Sequence, residues 1–249
     1  MEQGSPSFWL GLASSLLMGL SKTGLPGTSL PSILLMTEAF PDDARLSVGA
    51  ILPVILVGDV IAVVWFRRHA DWACLGRLFP WVAVGMLPGV LVLAKTQGNE
   101  LRPVLGWLIL ALLALEVVRQ FLGWEHMPRQ RWFVALLGLV AGFGTVVGNA
   151  AGPVMAIYLV SGGLRKEQFI GTAAWFFFIA NLSKLPTMAA LGMITWQTIE
   201  FGCAVSPAVP VGALAGIWLL GITPQKPFDV FALTLAGLAA LRLVVVTAC

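Results

Sequence analysis

Eight stretches of mainly apolar residues, separated by short polar connections, make up most of the chain. They occupy residues 8–37, 44–66, 75–94, 101–118, 132–160, 169–191, 199–220 and 228–246. Six of the eight have about 18 to 24 residues, the length of a helix that crosses the hydrocarbon core of a membrane once. The pattern therefore predicts an all-α polytopic membrane protein.

The other two stretches, 8–37 and 132–160, are longer, and each is interrupted near its middle by glycine, proline and polar residues. The first interruption is GLSKTGLPG at 19–27, and the second is GFGTVVGNAAGP at 142–153. Lipid cannot hydrogen-bond to the backbone of such an interruption, which must therefore be buried in protein or line a cavity. Two interruptions in corresponding positions of two chain halves indicate the binding site of a transporter.

The second half of the chain repeats the first. Gly19 corresponds to Gly142 at an offset of 123 residues, and Asp59 corresponds to Asn181 at an offset of 122. Further matching pairs are Trp9 with Trp132, Gly49 with Gly171, Pro80 with Pro207, Gly85 with Gly212, Gly89 with Gly216 and Arg119 with Arg242. These matches predict a duplicated unit of one broken segment followed by three spans.

Loop charges indicate how the two repeats are oriented in the membrane. The repeats are residues 1–120 and 132–249, and the loop 121–131 connects them. If all eight stretches cross the membrane, six of the loop lysines and arginines lie on one face and six on the other. If each broken segment instead enters and leaves on the same face as a re-entrant hairpin, nine of these loop cations lie on one face and three on the other, as the positive-inside rule expects. The arms of about 12 to 14 residues, or about 20 Å, are also too short to cross a core of about 30 Å.

We therefore expect two inverted repeats, each a broken helical hairpin plus three transmembrane helices, with both termini outside.

Composition supports membrane insertion and excludes several functions. Hydrophobic residues form 58% of the chain, charged residues 11%, and the mean hydropathy is +0.90, so no large soluble domain is expected. The net charge of +3 includes no basic block for nucleic acid. Cys74, Cys203 and Cys249 lie far apart, and His69 and His126 lack a companion at ligand spacing, so we expect no metal and no other cofactor. No nucleophile, base and orienting residue fall at one depth, which argues against an enzyme.

Lys22 is the only cation of the first broken segment, and Asp59 is the only carboxylate within the second stretch. An ammonium at mid-membrane needs a partner or water. Either Lys22 pairs permanently with Asp59, or it faces an anion, helped by the partial positive charge of backbone N–H groups at the helix break. Because Asp59 can also carry a proton, it is the candidate residue for coupling transport to an ion.

The second interruption has no cation and offers Asn149 beside the Gly152-Pro153 pair. Asn149 is either a ligand for the solute or a turn residue with its own hydrogen bonds satisfied. Asn181 and Lys184, three residues apart, share one face of a helix. They either line the solute path, or Asn181 joins two helices and Lys184 extends to the membrane interface.

Several motifs closely resemble the TauE/SafE family of sulfite exporters, also called the sulfonate uptake permease family. They are GLSKTGLPG at 19–27, GNAAGP at 148–153, GLRK at 163–166, FIGT at 169–172 and NLSKLP at 181–186. The resemblance implies an inner-membrane carrier of sulfite or of organosulfonates such as sulfoacetate. By its motifs it implies substrate-binding roles for Lys22, Thr23, Gly24, Asn149, Ala150 and Gly152, with Asn181 and Lys184 as second candidates.

A different class of function is a membrane-embedded assembly or biogenesis factor, in which the interruptions only let helices pack around a partner. The lipid bilayer is an expected partner under either hypothesis, and a homodimer is compatible with an apolar chain of this size.

Overall fold

The structure, a computed structural model, describes residues 5–25, 28–96, 100–101, 103–108, 110–111, 114, 131–161, 164 and 166–222. These residues are helical apart from short turns and connections. The helices whose bounds fall within them are α1 (Pro6–Thr23), α2 (Ser29–Glu38), α3 (Ala44–Phe66), α4 (Trp72–Lys95), α5 (Arg131–Gly148), α6 (Gly152–Ser161), α7 (Lys166–Ala190), α8 (Trp196–Val205) and α9 (Ala208–Ile222).

Most helix bounds follow the hydropathy pattern. Helix α3 has the bounds predicted at 44–66, and α4 extends beyond both ends of the predicted span at 75–94. Helix α7 begins three residues before the predicted span at 169–191 and ends one residue before its predicted end. The predicted span 228–246 lies outside the described residues. The span at 101–118 and the loop at 121–131 are described only in part.

Three of the described helices are long and apolar enough to cross a membrane: α3 with the short turn Arg67–His69, α4, and α5. Helix α7 has 25 residues but is not among them. Its polar residues, including Asn181, Ser183 and Lys184, lower its hydropathy. Together, α8 and α9 reach the hydropathy of a fourth span if the bend between them is disregarded.

That bend corrects the prediction of one continuous helix at 199–220. Helices α8 and α9 meet at an angle of 46° on either side of Ser206 and Pro207. Pro207 has no N–H to donate to the preceding turn, and its ring crowds the carbonyl group four residues back, that of Cys203. The corresponding Pro80 lies inside α4, which continues through it.

Each broken segment consists of two helices. In the first, the Ser14 hydroxyl donates to the Ser32 carbonyl oxygen at 2.7 Å, and the Ser32 hydroxyl donates to the Ser14 carbonyl oxygen at the same distance. This reciprocal pair holds α1 and α2 side by side as a hairpin, and α5 and α6 also contact each other.

The first arm of each hairpin is longer than the sequence indicated. Helices α1 and α5 each have 18 residues, about 27 Å of helix, whereas α2 and α6 each have 10. Helix α5 is long and apolar enough to cross a membrane, so the expectation that the arms are too short does not hold for it, whereas α1 is not among the described helices that could cross.

Helices of each half pack against helices of the other half. Helix α1 of the first half packs mainly against α9, and α5 of the second half packs mainly against α4, while α3 and α7 contact each other between them. Matching glycines make matching contacts. A Cβ atom on Gly19 would lie 2.1 Å from the Val209 carbonyl oxygen, and one on Gly142 would lie 2.1 Å from that of Val82. Small residues thus let the backbones of each helix pair touch.

We expect Gly19→Ala and Gly142→Ala each to lower the stability of the fold by about 1–3 kcal/mol, because the added methyl group must push two helices apart. Thermal unfolding in detergent micelles, followed by tryptophan fluorescence, measures the loss.

Gly76→Ala in α4 is the matched control, since a Cβ atom at Gly76 meets no atom within 4 Å. Its unfolding temperature should stay at the wild-type value or rise slightly because alanine favours helix. An unchanged unfolding temperature in both Gly19→Ala and Gly142→Ala would contradict the close backbone contacts.

Candidate functional site

The first helix break, residues 24–28, is held by hydrogen bonds to the end of α1. The backbone N–H groups of Gly24 and Leu25 both donate to the Leu20 carbonyl oxygen at 3.1 Å. The Thr23 hydroxyl donates to the Ala213 carbonyl oxygen of α9 at 2.8 Å. These bonds end α1 against α9, and thus fix the place of the break relative to the second half of the protein.

The second helix break, residues 149–151, begins with a residue in the left-handed conformation. Asn149 has a φ of 56°, and its N–H donates to the Thr145 carbonyl oxygen at 3.2 Å. The N–H of Ala150 donates to the Gly144 carbonyl oxygen at 2.9 Å. The Asn149 bond is that of the αL motif, which ends many helices, and asparagine tolerates the left-handed position better than most residues.

Lys22 is paired with Asp59. The Lys22 ammonium lies 2.7 Å from Asp59 Oδ1, and the two side chains are 8% and 0% exposed. Asn181 donates from Nδ2 to the other carboxylate oxygen at 2.5 Å. The Lys22 ammonium also lies 4.2 Å from the centre of the Phe177 ring, within reach of a cation–π attraction. Both repeat-related polar residues, Asp59 and Asn181, therefore meet at the contact of α3 with α7.

Lys184 is buried, with 1% of its surface exposed, and it contacts the second helix break instead of the membrane interface. Its ammonium donates to the Thr145 carbonyl oxygen at 2.9 Å and to Asn149 Oδ1, and it lies 3.4 Å from the Thr145 hydroxyl. Carbonyl groups at the end of a helix carry partial negative charge, so the last turn of α5 favours an ammonium here.

The sequence analysis did not identify Thr145 as a site residue. The offset between the two repeats could have identified it. Thr145 lies 123 residues after Lys22, the offset at which Gly142 follows Gly19. The cation thus lies on the hairpin in the first half, whereas in the second half the hairpin supplies acceptors and the neighbouring helix α7 supplies the cation.

The charges of this cluster do not balance. Lys22 has the Asp59 carboxylate as its counter-ion. The partners of Lys184 are carbonyl, hydroxyl and amide oxygens, and it forms no ion pair within the part of the chain that the structure describes. With all three side chains ionised, the buried cluster carries one excess positive charge. An anion is the solute that would remove this imbalance.

A cavity lies between the two helix breaks. It encloses about 700 Å³ of empty space, its open mouth included. Polar or backbone-exposing residues of its lining are Ser21, Lys22, Gly24, Ser29, Asn149, Gly152 and Asn181. Its other lining residues are Met18, Ile55, Met155, Ala156, Leu159, Phe169, Ile170, Ala173, Ala174 and Phe177. The cavity is therefore mainly apolar, with a few polar groups contributed by both breaks and by α7.

The structure divides the candidate site residues into two groups. Five of them line the cavity: Lys22, Gly24, Asn149, Gly152 and Asn181. The other four lie outside its lining: Thr23, Asp59, Ala150 and Lys184. Asp59 and Lys184 contact lining residues directly, whereas Thr23 and Ala150 are buried in the hydrogen-bonded helix ends. Among the described residues, no group of His, Cys, Asp and Glu could hold a metal ion.

Helices long and apolar enough to cross a membrane, two broken hairpins and a mainly apolar cavity between them define a multi-pass membrane protein with a candidate solute site. A family model described as "Sulfite exporter TauE/SafE" matches residues 7–243, nearly the whole chain. The chain therefore belongs to the TauE/SafE sulfite exporter family, a family of membrane transporters. No curated protein and no solved structure matches the chain.

We predict that Asp59→Asn and Lys22→Gln each lower the free energy of unfolding by about 3–5 kcal/mol, because each leaves one buried charge without its partner. The double variant Lys22→Gln/Asp59→Asn removes both members of the ion pair, leaves neither charge alone, and should recover most of that loss. Thermal unfolding of the four proteins in detergent measures this double-mutant cycle. Losses that simply add in the double variant would show that the two side chains are not an energetic pair.

Proposed function

We propose that this protein exports a small sulfur oxyanion, sulfite or an organosulfonate such as sulfoacetate, across the inner membrane, with the anion held between the two helix breaks. The observation that carries this proposal is a pair of buried lysines, with one carboxylate between them, beside a cavity that both breaks line. An anionic solute would supply the counter-charge that a second ionised lysine lacks. Membership of the TauE/SafE family supports a sulfur-containing anion as the substrate.

The two helix breaks and the ends of their helices offer the direct contacts for the anion. The Lys22 ammonium lies in the cavity wall, so one of its N–H bonds can turn from Asp59 to an oxyanion. Gly152 also lines the cavity, at the first turn of α6, where helix N–H groups favour negative charge. Gly24 lines the opposite break, and its missing side chain lets it lie against the Gly216 backbone of α9.

The topology that we propose is an inverted repeat with both termini outside. Its support is the reciprocal packing of α1 against α9 and of α5 against α4, together with the nine-to-three division of loop cations. Movement of one repeat against the other would expose the cavity first to one face of the membrane and then to the other, which is alternating access.

Asp59 is the proposed coupling residue. When the anion takes Lys22 as its counter-ion, the buried Asp59 carboxylate loses its partner, and a proton taken up by Asp59 would remove that unpaired carboxylate charge. Anion flux into proteoliposomes under imposed pH gradients tests this role. A flux that is the same at every gradient would remove Asp59 from ion coupling.

Transport of radiolabelled sulfite by the purified protein in liposomes tests the proposed function itself. The wild-type protein should carry sulfite, and the double variant Lys22→Gln/Asp59→Asn should lose at least about 90% of the flux, because the direct charged contact is gone. The double variant is used because it removes both members of the Lys22–Asp59 pair, so neither charge is left buried without its partner. Lys95→Gln, which removes the same charge from the exposed end of α4, should carry sulfite like the wild type.

Two outcomes would contradict this account. A folded double variant with wild-type flux would show that Lys22 serves only the fold. A folded wild-type protein that carries neither sulfite nor a sulfonate would favour the assembly-factor hypothesis.

A further inference from the structure

The two polar atoms of the Asn149 carboxamide have different surroundings. Oδ1 accepts a hydrogen bond from the Lys184 ammonium. Nδ2 is buried and has no acceptor among the described residues. Asn149 also lines the cavity between the breaks. A buried amide donor without a partner is rare in a folded protein, and beside a cavity it indicates a group that is satisfied by a ligand.

Lys184 decides which of these two atoms remains available. An ammonium group has three donors and no acceptor, so it can bind the amide only through its oxygen. With Lys184 held against the end of α5 by the Thr145 carbonyl oxygen, the amide cannot turn over without losing a charge-assisted hydrogen bond. The NH₂ group is therefore the part of Asn149 that can contact a ligand.

We propose that Asn149 donates a hydrogen bond from Nδ2 to an oxygen of the bound oxyanion, and that Lys184 is a positioning residue that holds the amide in the orientation this requires. The inference rests on the proposed function and assigns the two buried cations different tasks. Lys22, in the cavity wall, contacts the anion directly. Lys184, outside the lining, acts mainly through the amide that it holds.

The Asn149→Asp variant separates this role from a purely structural one. The new carboxylate keeps an acceptor for Lys184, so the unfolding temperature should stay at or above the wild-type value. It presents an oxygen to the ligand in place of the NH₂ group, so the affinity for sulfite, measured by calorimetry on the purified protein, should fall at least about 10-fold. Asn149→Gly, which suits the left-handed backbone, should also weaken sulfite binding about 10-fold or more.

A double-mutant cycle tests the positioning role of Lys184. Lys184→Met should weaken sulfite binding about 10-fold in the wild-type background, because the amide is released. In the Asn149→Gly background it should weaken binding less than about 3-fold, since there is no amide left to orient. A change limited to the fold would lower the unfolding temperature equally in both backgrounds and would not depend on Asn149 for its effect on affinity.

Two results would overturn the inference while leaving the proposed function intact. One is an Asn149→Asp protein that binds sulfite as tightly as the wild type. The other is an equal loss of affinity from Lys184→Met in both backgrounds. A folded wild-type protein that neither binds nor carries sulfite or a sulfonate would overturn the proposed function, and this inference with it.

Discussion

Charge that is buried inside a membrane protein must be neutralised or held by polar groups, and this constraint organises the centre of the molecule. Lys22, Asp59 and Lys184 lie within a chain whose composition is 58% hydrophobic. Asp59 neutralises one of the two lysines, and the end of helix α5 holds the other. The remaining positive charge is tolerable in a folded protein because helix carbonyl and amide oxygens surround it, and it makes the adjacent cavity suitable for an anion.

The fold brings these three charges together because helices of each half pack against helices of the other half. The helix breaks lie on α1–α2 and α5–α6, while Asp59 and Lys184 lie on α3 and α7. Close contacts of α1 with α9 and of α5 with α4 fix the position of each break relative to the other half. The polar residues that form the site also make α7 less apolar than a typical span, so the demands of binding and of membrane insertion oppose each other in that helix.

Much of this centre could be read from the sequence, because a charge or a glycine–proline interruption in an apolar stretch has few structural explanations. The two breaks, the importance of Lys22 and the pairing of Asp59 with Lys22 as one of two alternatives were all predicted. The partner of Lys184 was not, since side-chain spacing along one helix does not show which other helix faces it. The bend between α8 and α9 also escaped prediction, because Pro80 and Pro207 look alike in sequence and differ only in their packing.

The location of the bound anion tests the central claim most directly. Selenite has the shape and charge of sulfite, and its selenium gives an anomalous X-ray signal, so a crystal of the protein soaked in selenite would show where the anion lies. The account predicts one anomalous peak in the cavity between the helix breaks, within hydrogen-bonding distance of Lys22 Nζ and Asn149 Nδ2. A peak elsewhere in the protein, with lipid or a side chain filling that cavity, would contradict it.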